Sequence, residues 1–349
     1  MDYFKGKGAQ INVENKFSAL HVSTESVDGI DEELLHEKPK TEVFKETPKK
    51  IISTNKSPDI GLSASINPYQ GCEHGCVYCY ARNSHEYWGF SAGLDFETKI
   101  IVKPEAPQLL EKEFLKPTYQ PKTIMLSGNT DCYQPLEKKY ELTRQLLSVF
   151  NKYQHPVGII TKNALVTRDL AILKELAANN LVHVIFSITS LDESLRRKLE
   201  PRTASAMKKL NAMELLAKEG VPVGVMNAPI IPGLNHHEIP DILRAASESG
   251  ASFASYTVVR LNGQVGKIFK DWLEKNFPDR VQKVWNQIQE LHGGNVNDTE
   301  FGRRIKGEGK ISKIIRNLFD VSKRKYFDGK QMPSLETSHF RKGGAYSLF

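Results

Sequence analysis

Short apolar runs alternate with longer amphipathic stretches between residues 62 and 260. The apolar runs are at most seven residues long and rich in Val and Ile, which is typical of strands buried on both faces. These predicted strands are 62–67, 123–127, 157–161, 182–188, 222–227 and 253–259. Apolar residues recur at helical spacing in 137–152, 167–178, 204–219 and 237–249, which predicts helices between the strands.

Six strand and helix units in a row predict an α/β fold with a parallel sheet covered by helices. We expect this sheet to close part of the way into a (β/α)6 TIM-like barrel over residues 61–265. Gly220 and Gly250 follow two of the helices, where a left-handed residue is favoured. Residues 1–60 show neither period and predict a mostly irregular N-terminal arm, whereas 266–349 predict a helical C-terminal extension.

Two methionines on the helix at 204–219, Met207 and Met213, are separated from Leu210 by helical spacing. Methionines in such a pattern usually fill a core, so both are predicted to be buried.

Composition narrows the class of protein further. The chain has 349 residues, of which 40% are apolar and 26% charged, and no run of eighteen apolar residues or secretory leader is evident. These features predict a cytoplasmic protein with no membrane segment. Four cysteines are too few for a disulfide scaffold, and three of them lie within eight residues, which points to metal binding.

Charge is concentrated at the C-terminal end. Residues 261–349 carry 17 Lys and Arg against 10 Asp and Glu, which equals the whole net charge of +7. Ten of these cations lie in 303–330, interleaved with aromatic residues. Such a pattern fits a surface for a phosphate backbone, although a solvated helix face is the alternative.

The cysteines form the pattern C-x3-C-x2-C at Cys72, Cys76 and Cys79, directly after the first predicted strand. Thiolates suit zinc or an iron–sulfur cluster, and three of them leave one metal position open for another ligand. The alternative is a structural zinc site in which His74 supplies the fourth ligand. In that alternative the protein is a non-enzymatic nucleic-acid-binding factor with a structural zinc or iron site.

This motif, at the end of the first strand of a βα barrel, resembles that of the radical S-adenosylmethionine (SAM) superfamily. The flanking segments NPYQGCEHGCVYCYAR, HEYWGF, LDFETKI, SGNTDCYQPLE and LEPRT are similar to the branch of DNA repair photolyases and spore-photoproduct-lyase-related proteins. The resemblance covers about residues 60–265.

The resemblance implies a [4Fe–4S] cluster on the three cysteines and SAM on its open iron. It further implies reductive cleavage of SAM to a 5′-deoxyadenosyl radical by a lyase-like enzyme, with a flavodoxin or ferredoxin as electron donor. The repair-like ancestry makes nucleic acid the expected substrate or partner, bound through the basic C-terminal region.

The resemblance also implies SAM contacts at the strand ends. The residues expected to bind the cofactor are Tyr78, Ser127, Gly128, Asn129, Asp131, Lys162, Ser187, Arg202, Asn227 and Ile231. Lys162 is expected to face the SAM carboxylate. Arg202 is either a second carboxylate ligand or an ion-pair partner of Glu200.

Cys132 follows the second strand of the predicted barrel. The resemblance makes it a candidate catalytic donor of a hydrogen atom to a substrate radical, and the alternative is a small residue of the core.

The chain ends in an apolar peptide after Gly343 and Gly344, with Leu348 and Phe349 as its last residues. It resembles a peptide that binds a bacterial sliding clamp, although the anchoring Gln is missing. The alternative is a tail docked on its own domain.

Overall fold

The computed structural model describes residues 4–17, 40–59 and 63–344. Within these residues ten strands form two sheets. In chain order the strands are Glu42–Lys45 (β1), Ile52–Thr54 (β2), Ala64–Ile66 (β3), Tyr69–Gln70 (β4), Lys99–Val102 (β5), Ile124–Leu126 (β6), Val157–Thr161 (β7), Val182–Ser187 (β8), Val223–Ile230 (β9) and Phe253–Val258 (β10). The larger sheet has the order β10-β9-β8-β7-β6-β3-β2, and the smaller has the order β1-β5-β4.

All six strands predicted from the sequence are present as β3, β6, β7, β8, β9 and β10. Each pairs in parallel with the next, and only β2 joins the larger sheet in the antiparallel sense. The prediction of a partial parallel barrel is confirmed. Because parallel strands end at the same edge, the loops after β3, β6, β7, β8, β9 and β10 meet at one mouth of the barrel.

Helices cover the outside of the sheet and continue into the C-terminal part. They are Asp95–Thr98 (α1), Ala106–Phe114 (α2), Glu137–Tyr140 (α3), Leu142–Lys152 (α4), Leu170–Ala177 (α5), Glu193–Leu199 (α6), Ala206–Lys218 (α7), Ile239–Glu248 (α8), Val265–Asn276 (α9), Val281–Leu291 (α10), Arg303–Lys306 (α11) and Gly309–Phe327 (α12). Gly220 and Gly250 take φ values of +79° and +91° after α7 and α8, as predicted. None of the described helices combines the length and apolar character needed to cross a membrane.

The predicted helix at 137–152 is broken into α3 and α4, because Glu141 adopts a φ of +49° between them. The buried carboxylate of Glu137 explains the break. It accepts hydrogen bonds from the backbone N–H groups of Thr143 and Arg144 at 3.1 and 3.4 Å, and so caps the first turn of α4. The Tyr69 hydroxyl donates to the same carboxylate at 2.5 Å.

The prediction that both methionines are buried is wrong for Met207. Met213 is fully buried, whereas Met207 is 65% exposed. Six residues at 100° per residue place the two side chains about 120° apart around α7, so one faces the sheet and the other faces solvent.

The N-terminal arm contributes regular structure that the sequence pattern did not show. Strand β1 pairs in parallel with β5, and β2 forms an edge of the larger sheet. Both strands are only three or four residues long, too short to give a detectable period. Residues 18–39 of the predicted arm lie outside the described residues.

The C-terminal extension packs against the barrel through α12. Its Phe319 ring lies 4.5 Å from the ring of Tyr256 on β10. Several predicted cations of 303–330 are engaged within the protein: Arg303 pairs with Asp298, and Lys306 donates to the Tyr256 carbonyl at 2.7 Å. The clamp-like peptide, with Leu348 and Phe349, lies outside the described residues.

A buried histidine at the opposite end of the barrel predicts sensitivity to acid. His155 stacks on Phe114 at 4.4 Å, and burial lowers its pKa to about 4. The unfolded chain binds this proton near pH 6.5, so the folded state loses stability as the pH falls from about 6.5 to about 4. We expect a slope of up to about 1.4 kcal/mol per pH unit from this group.

Urea unfolding of the protein at several pH values measures this slope. His155→Gln should flatten it, whereas His339→Gln, at an exposed position, should leave it unchanged. Equal slopes in wild-type protein and His155→Gln would contradict the assignment.

Candidate active site

The cysteine loop lies at the mouth of the barrel, where it contacts the end of α6 and the loop after β6. Val77 N–H donates to the Leu199 carbonyl at 3.0 Å, and Tyr80 hydroxyl donates to the Gly128 carbonyl at 2.7 Å. Gly71 and Gly75 take φ values of +80° and +70°, which permits the tight turns of the loop.

All three cysteines of the loop are free thiols. Cys72 and Cys76 are buried, and Cys79 is partly buried. Burial raises the pKa of each thiol, and the neighbouring thiols raise the pKa of Cys72 and Cys76 further. Neighbouring thiols that resist ionisation alone are stabilised as thiolates by a bound cationic centre, so the chemistry of this donor set fits a soft metal or an iron–sulfur cluster.

His74 does not complete a four-ligand zinc site with these thiols. Its Nδ1 lies 3.3 Å from an Asp131 carboxylate oxygen, and its Nε2 lies 3.4 Å from Asn163 Nδ2. Within the ranges that the structure describes, no three His, Cys, Asp or Glu side chains are grouped as ligands of one metal ion. His74 instead anchors the cysteine loop to the loops after β6 and β7.

A buried carboxylate next to the cysteine loop pairs with two lysines and accepts a hydrogen bond from a tyrosine. Glu200 lies 3.1 Å from Lys162 Nζ and 3.1 Å from Lys209 Nζ, and it accepts a hydrogen bond from the Tyr78 hydroxyl. The Thr189 hydroxyl donates to the same carboxylate at 3.0 Å. We call Glu200, Lys162, Lys209, Tyr78 and Thr189 the Glu200 network.

Electrostatics fix the charge of this network. Burial alone would raise the pKa of Glu200, but Lys162 and Lys209 outweigh burial and hold it well below its usual range. Burial alone would lower the pKa of Lys162, but Glu200 and Cys76 outweigh burial and raise it. Burial lowers the pKa of Lys209 more than Glu200 raises it. One carboxylate therefore faces two lysines, of which Lys162 also interacts electrostatically with Cys76.

Lys162 lies at the end of β7, as the sequence predicts, and is held by several acceptors. Its Nζ donates to the Ser187 hydroxyl at 2.9 Å and to the Thr189 hydroxyl at 3.0 Å. Its side chain is 17% exposed, whereas those of Glu200 and Lys209 are at most 1% exposed. Lys162 is therefore the member of the Glu200 network that borders open space.

The predicted SAM contacts after β6 form a tightly folded turn. Ser127 has a φ of +74°, and its hydroxyl accepts the Cys132 N–H at 2.7 Å. A Cβ at Gly128 would lie 2.5 Å from the Cβ of Ser65, so only glycine fits there. The Asn129 amide donates internally, to Gln70 at 3.1 Å and to Ser84 at 2.9 Å.

Asp131 holds adjacent loops together. Its carboxylate accepts the Lys162 N–H at 2.7 Å and the Thr161 hydroxyl at 2.8 Å. Burial alone would raise its pKa, but His74 and these donors lower it below the usual value. The sequence placed Asp131 beside the cofactor, and the structure shows it tied to His74 and to the end of β7.

The remaining predicted contacts lie near the same mouth. Ser187 is buried beside Lys162, and Ile231 is buried in a cluster that includes Cys76 and Tyr78. Asn227 donates to the Ile188 carbonyl at 3.0 Å, and its side-chain oxygen has no hydrogen-bond partner among the described residues.

Arg202 does not pair with Glu200. Its guanidinium donates to Glu73 at 3.1 Å, and its backbone N–H donates to the His74 carbonyl at 3.2 Å. The cationic partners of Glu200 are Lys162, directly after β7, and Lys209 on α7. Arg202 instead braces the cysteine loop through Glu73.

Cys132 lies in the apolar core and not on the open side of the mouth. Its side chain is fully buried in the main hydrophobic cluster, and burial raises the pKa of its thiol. Its carbonyl accepts the Thr143 hydroxyl at 2.6 Å. These contacts favour the packing alternative over the role of hydrogen-atom donor.

The N-terminal residues 4–17 lie across the cysteine loop, and we call them the strap. The N–H groups of Gly8 and Ala9 donate to the Glu97 carboxylate at 3.0 and 2.7 Å. Glu97 also pairs with Arg82 at 2.5 Å, and both side chains are fully buried. The strap is therefore anchored to the same ion pair that supports the helical turn after Cys79.

A methyl group at Gly8 should release the strap. A Cβ there would lie 1.6 Å from the Gly75 carbonyl oxygen, in the middle of the cysteine loop. We expect Gly8→Ala to increase amide hydrogen exchange in residues 4–17 at least tenfold, because local opening replaces docking. Lys5→Ala, at an exposed position, is the matched control. Unchanged protection in Gly8→Ala would contradict the docked arrangement.

The sequence pattern indicates no role for Lys209 or for the Glu97–Arg82 pair, and it does not show that Glu200 joins two lysines. The segment LEPRT drew attention to Glu200 only as a possible partner of Arg202. A lysine on the otherwise apolar face of α7 was the one available signal for Lys209, which is fully buried in the structure.

Several known proteins are similar to this chain in sequence or in fold. The Radical SAM superfamily model matches residues 66–246. An uncharacterized protein of Mycobacterium tuberculosis is 31% identical over 234 residues, 66% of this chain and 69% of that protein. An uncharacterized protein of Methanocaldococcus jannaschii is 29% identical over 248 residues, which are 71% of this chain and 88% of that protein. Spore photoproduct lyase complexed with dinucleoside spore photoproduct has the same fold, with a TM-score of 0.60 at 15% identity over 82% of this chain and 80% of that chain.

Proposed function

Because the chain belongs to the radical SAM superfamily, whose cofactors are a [4Fe–4S] cluster and SAM, we propose that it is an enzyme that cleaves SAM reductively and acts on nucleic acid. The observation that carries the proposal is the set of three free thiols on one short loop beside Lys162 at the barrel mouth. Cys72, Cys76 and Cys79 would hold the cluster. When bound and reduced, the cluster supplies the electron that converts SAM to methionine and a hydrogen-abstracting 5′-deoxyadenosyl radical.

The Glu200 network would position the charge that this chemistry needs. Lys162 borders open space, and it shares its carboxylate partner, Glu200, with Lys209. The positive charge of Lys162 would attract the SAM carboxylate and the thiolate of Cys76. Glu200 would fix the direction in which Lys162 points. It also accepts a hydrogen bond from the Tyr78 hydroxyl, which would hold the ring of this residue in place between the ligands Cys76 and Cys79.

Nucleic acid is the proposed substrate class for two reasons. The C-terminal segment carries the net positive charge of the chain, and several of its lysines remain exposed on α12. Spore photoproduct lyase, which has the same fold, is seen with a dinucleoside in its solved complex. A flavodoxin or ferredoxin is the proposed electron donor.

Anaerobic reconstitution tests the proposal. The protein is loaded with iron and sulfide, reduced with dithionite and mixed with SAM, and 5′-deoxyadenosine is measured by chromatography. We expect an absorbing iron–sulfur species and formation of 5′-deoxyadenosine. A folded protein that takes up zinc, forms no cluster and yields no 5′-deoxyadenosine would contradict the proposal and support the binding-factor alternative.

A further inference from the structure

A second concave site lies beside the barrel mouth. This cleft has a volume of about 500 Å³ and is lined by Asn55, Lys56, Ser57, Arg260, Phe301, Arg304 and Ile305. We call it the Arg260 cleft. Its volume is within the range of small-molecule sites in proteins, so it can admit one nucleotide unit.

The Arg260 cleft is built where the two edges of the larger sheet approach each other. Lys56 follows the edge strand β2, and Arg260 follows the other edge strand, β10. The segment that contains α11 spans the gap: Arg304 pairs with Asp59 at 2.6 Å, and Lys306 donates to Tyr256 on β10. Strands of a barrel are staggered, so the end of the last strand can face the region beside the first.

The cleft adjoins the cysteine loop through a tyrosine. The guanidinium of Arg260 interacts electrostatically with the hydroxyl of Tyr80, the residue after Cys79. The cleft therefore lies on the side of the molecule where the cysteine loop ends.

Arg260 is an uncommitted cation within this cleft. Its guanidinium makes no hydrogen bond or ion pair with any residue in the described parts of the chain, although it is partly buried. Burial and the neighbouring Arg304 lower its pKa, and the carboxylates of Asp59 and Asp298 act on it only from a distance. Asp59 is paired with Arg304 and Asp298 with Arg303, so both carboxylates already have partners. An anionic group in the cleft would supply the partner that Arg260 lacks.

An exposed aromatic ring borders the same cations. Phe301 is 60% exposed, and the Arg304 guanidinium carbon lies 4.5 Å from the centre of its ring. Proteins that bind single-stranded nucleic acids combine exposed aromatic rings with arginine and lysine, because the ring stacks on a base while the cations bind phosphates.

We propose that the Arg260 cleft binds one nucleotide of a single-stranded nucleic acid, with its phosphate at Arg260 and Lys56 and its base on Phe301. This inference rests on the proposed function, because it names where the substrate strand lies relative to the cysteine loop. The proposed phosphate site is separate from the Glu200 network, because no described residue of that network contacts Arg260.

Fluorescence anisotropy with the reconstituted, SAM-bound full chain tests the proposal. The probes are a labelled 12-nucleotide single-stranded DNA, an RNA of the same sequence, and the DNA with abasic sites. Each is titrated at several salt concentrations, with inorganic phosphate and a mononucleotide as competitors. The variants are Arg260→Gln, Phe301→Ala and, as a matched control on α8, the half-exposed Arg244→Gln.

We expect Arg260→Gln to weaken binding at least fivefold and to reduce the salt dependence by about one phosphate contact. Phe301→Ala should weaken binding of the intact strand at least fivefold but not that of the abasic strand, because only a base can stack on the ring. Arg244→Gln should bind like the wild type. The DNA and RNA probes identify the preferred sugar.

Two results would overturn the proposal, and they differ in what else they overturn. If the wild type forms 5′-deoxyadenosine but binds no strand at low salt, nucleic acid is not the substrate class. If the wild type binds the strand and both Arg260→Gln and Phe301→Ala bind equally well, only the assignment to the Arg260 cleft fails. Unfolding curves for the variants show whether each is folded.

Discussion

Replacing Cys76 by alanine should abolish 5′-deoxyadenosine formation and leave the protein without its iron–sulfur absorbance. The loop then offers two thiols where the cluster requires three, and no described cysteine outside the loop is close enough to substitute, because Cys132 is buried in the core. Iron and sulfide per chain, together with 5′-deoxyadenosine yield, measure the loss.

Cys132→Ala is the matched control for this experiment. It removes a buried thiol of the same chemical type without touching the loop, so its iron and sulfide content should equal that of the wild type. Full cluster content in Cys76→Ala would contradict the ligand assignment, and loss of the cluster in Cys132→Ala would show that iron content reports folding instead of ligation.

Glu200→Gln should lower the free energy of unfolding by about 3 to 5 kcal/mol, because Lys162 and Lys209 would then share a buried site with no carboxylate. The amide keeps the size of the side chain, so the loss reports charge. Urea unfolding measures it. Glu214→Gln, which breaks an exposed ion pair with Lys218, should change stability by less than about 1 kcal/mol. A Glu200→Gln protein as stable as that control would contradict the electrostatic role of the network.

The same carboxylate predicts an acid-dependent difference between the two proteins. The pKa of Glu200 lies well below its usual range in the folded state, so its contribution is complete above about pH 4.5 and is lost as the pH falls further. Glu200→Gln has no such group. The stability difference between wild type and variant should therefore shrink as the solution is acidified.

The barrel strands could be predicted because their residues carry the signal themselves. All residues of the run Val157–Thr161 except Gly158 are β-branched, and the run forms β7 with the predicted bounds. The three cysteines are recognisable for a similar reason, since their spacing is fixed by one short loop. Such a pattern depends only on neighbouring residues, so it can be recognised without knowing which distant residues they contact.

The Glu200 network could not be predicted because its members come from distant parts of the chain. The sequence indicates Tyr78 and Lys162 only as separate SAM contacts, and nothing in it links either residue to Glu200. Only the parallel sheet brings their loops to one mouth. The break at Glu141 could not be predicted for a different reason. The cap on α4 is the side chain of Glu137, only six residues before Thr143, and the apolar helix pattern continues through both segments.

The strap also determines where the protein can be tagged. Gly8 of the strap lies against Gly75 of the cysteine loop, whereas Arg341 donates its backbone N–H to Tyr153, at the opposite end of the barrel before β7. A polyhistidine sequence fused ahead of the strap would bring metal-binding imidazoles next to three thiols during iron loading. An affinity tag attached beyond Arg341 starts from the other face of the molecule and keeps competing ligands away from the cysteines.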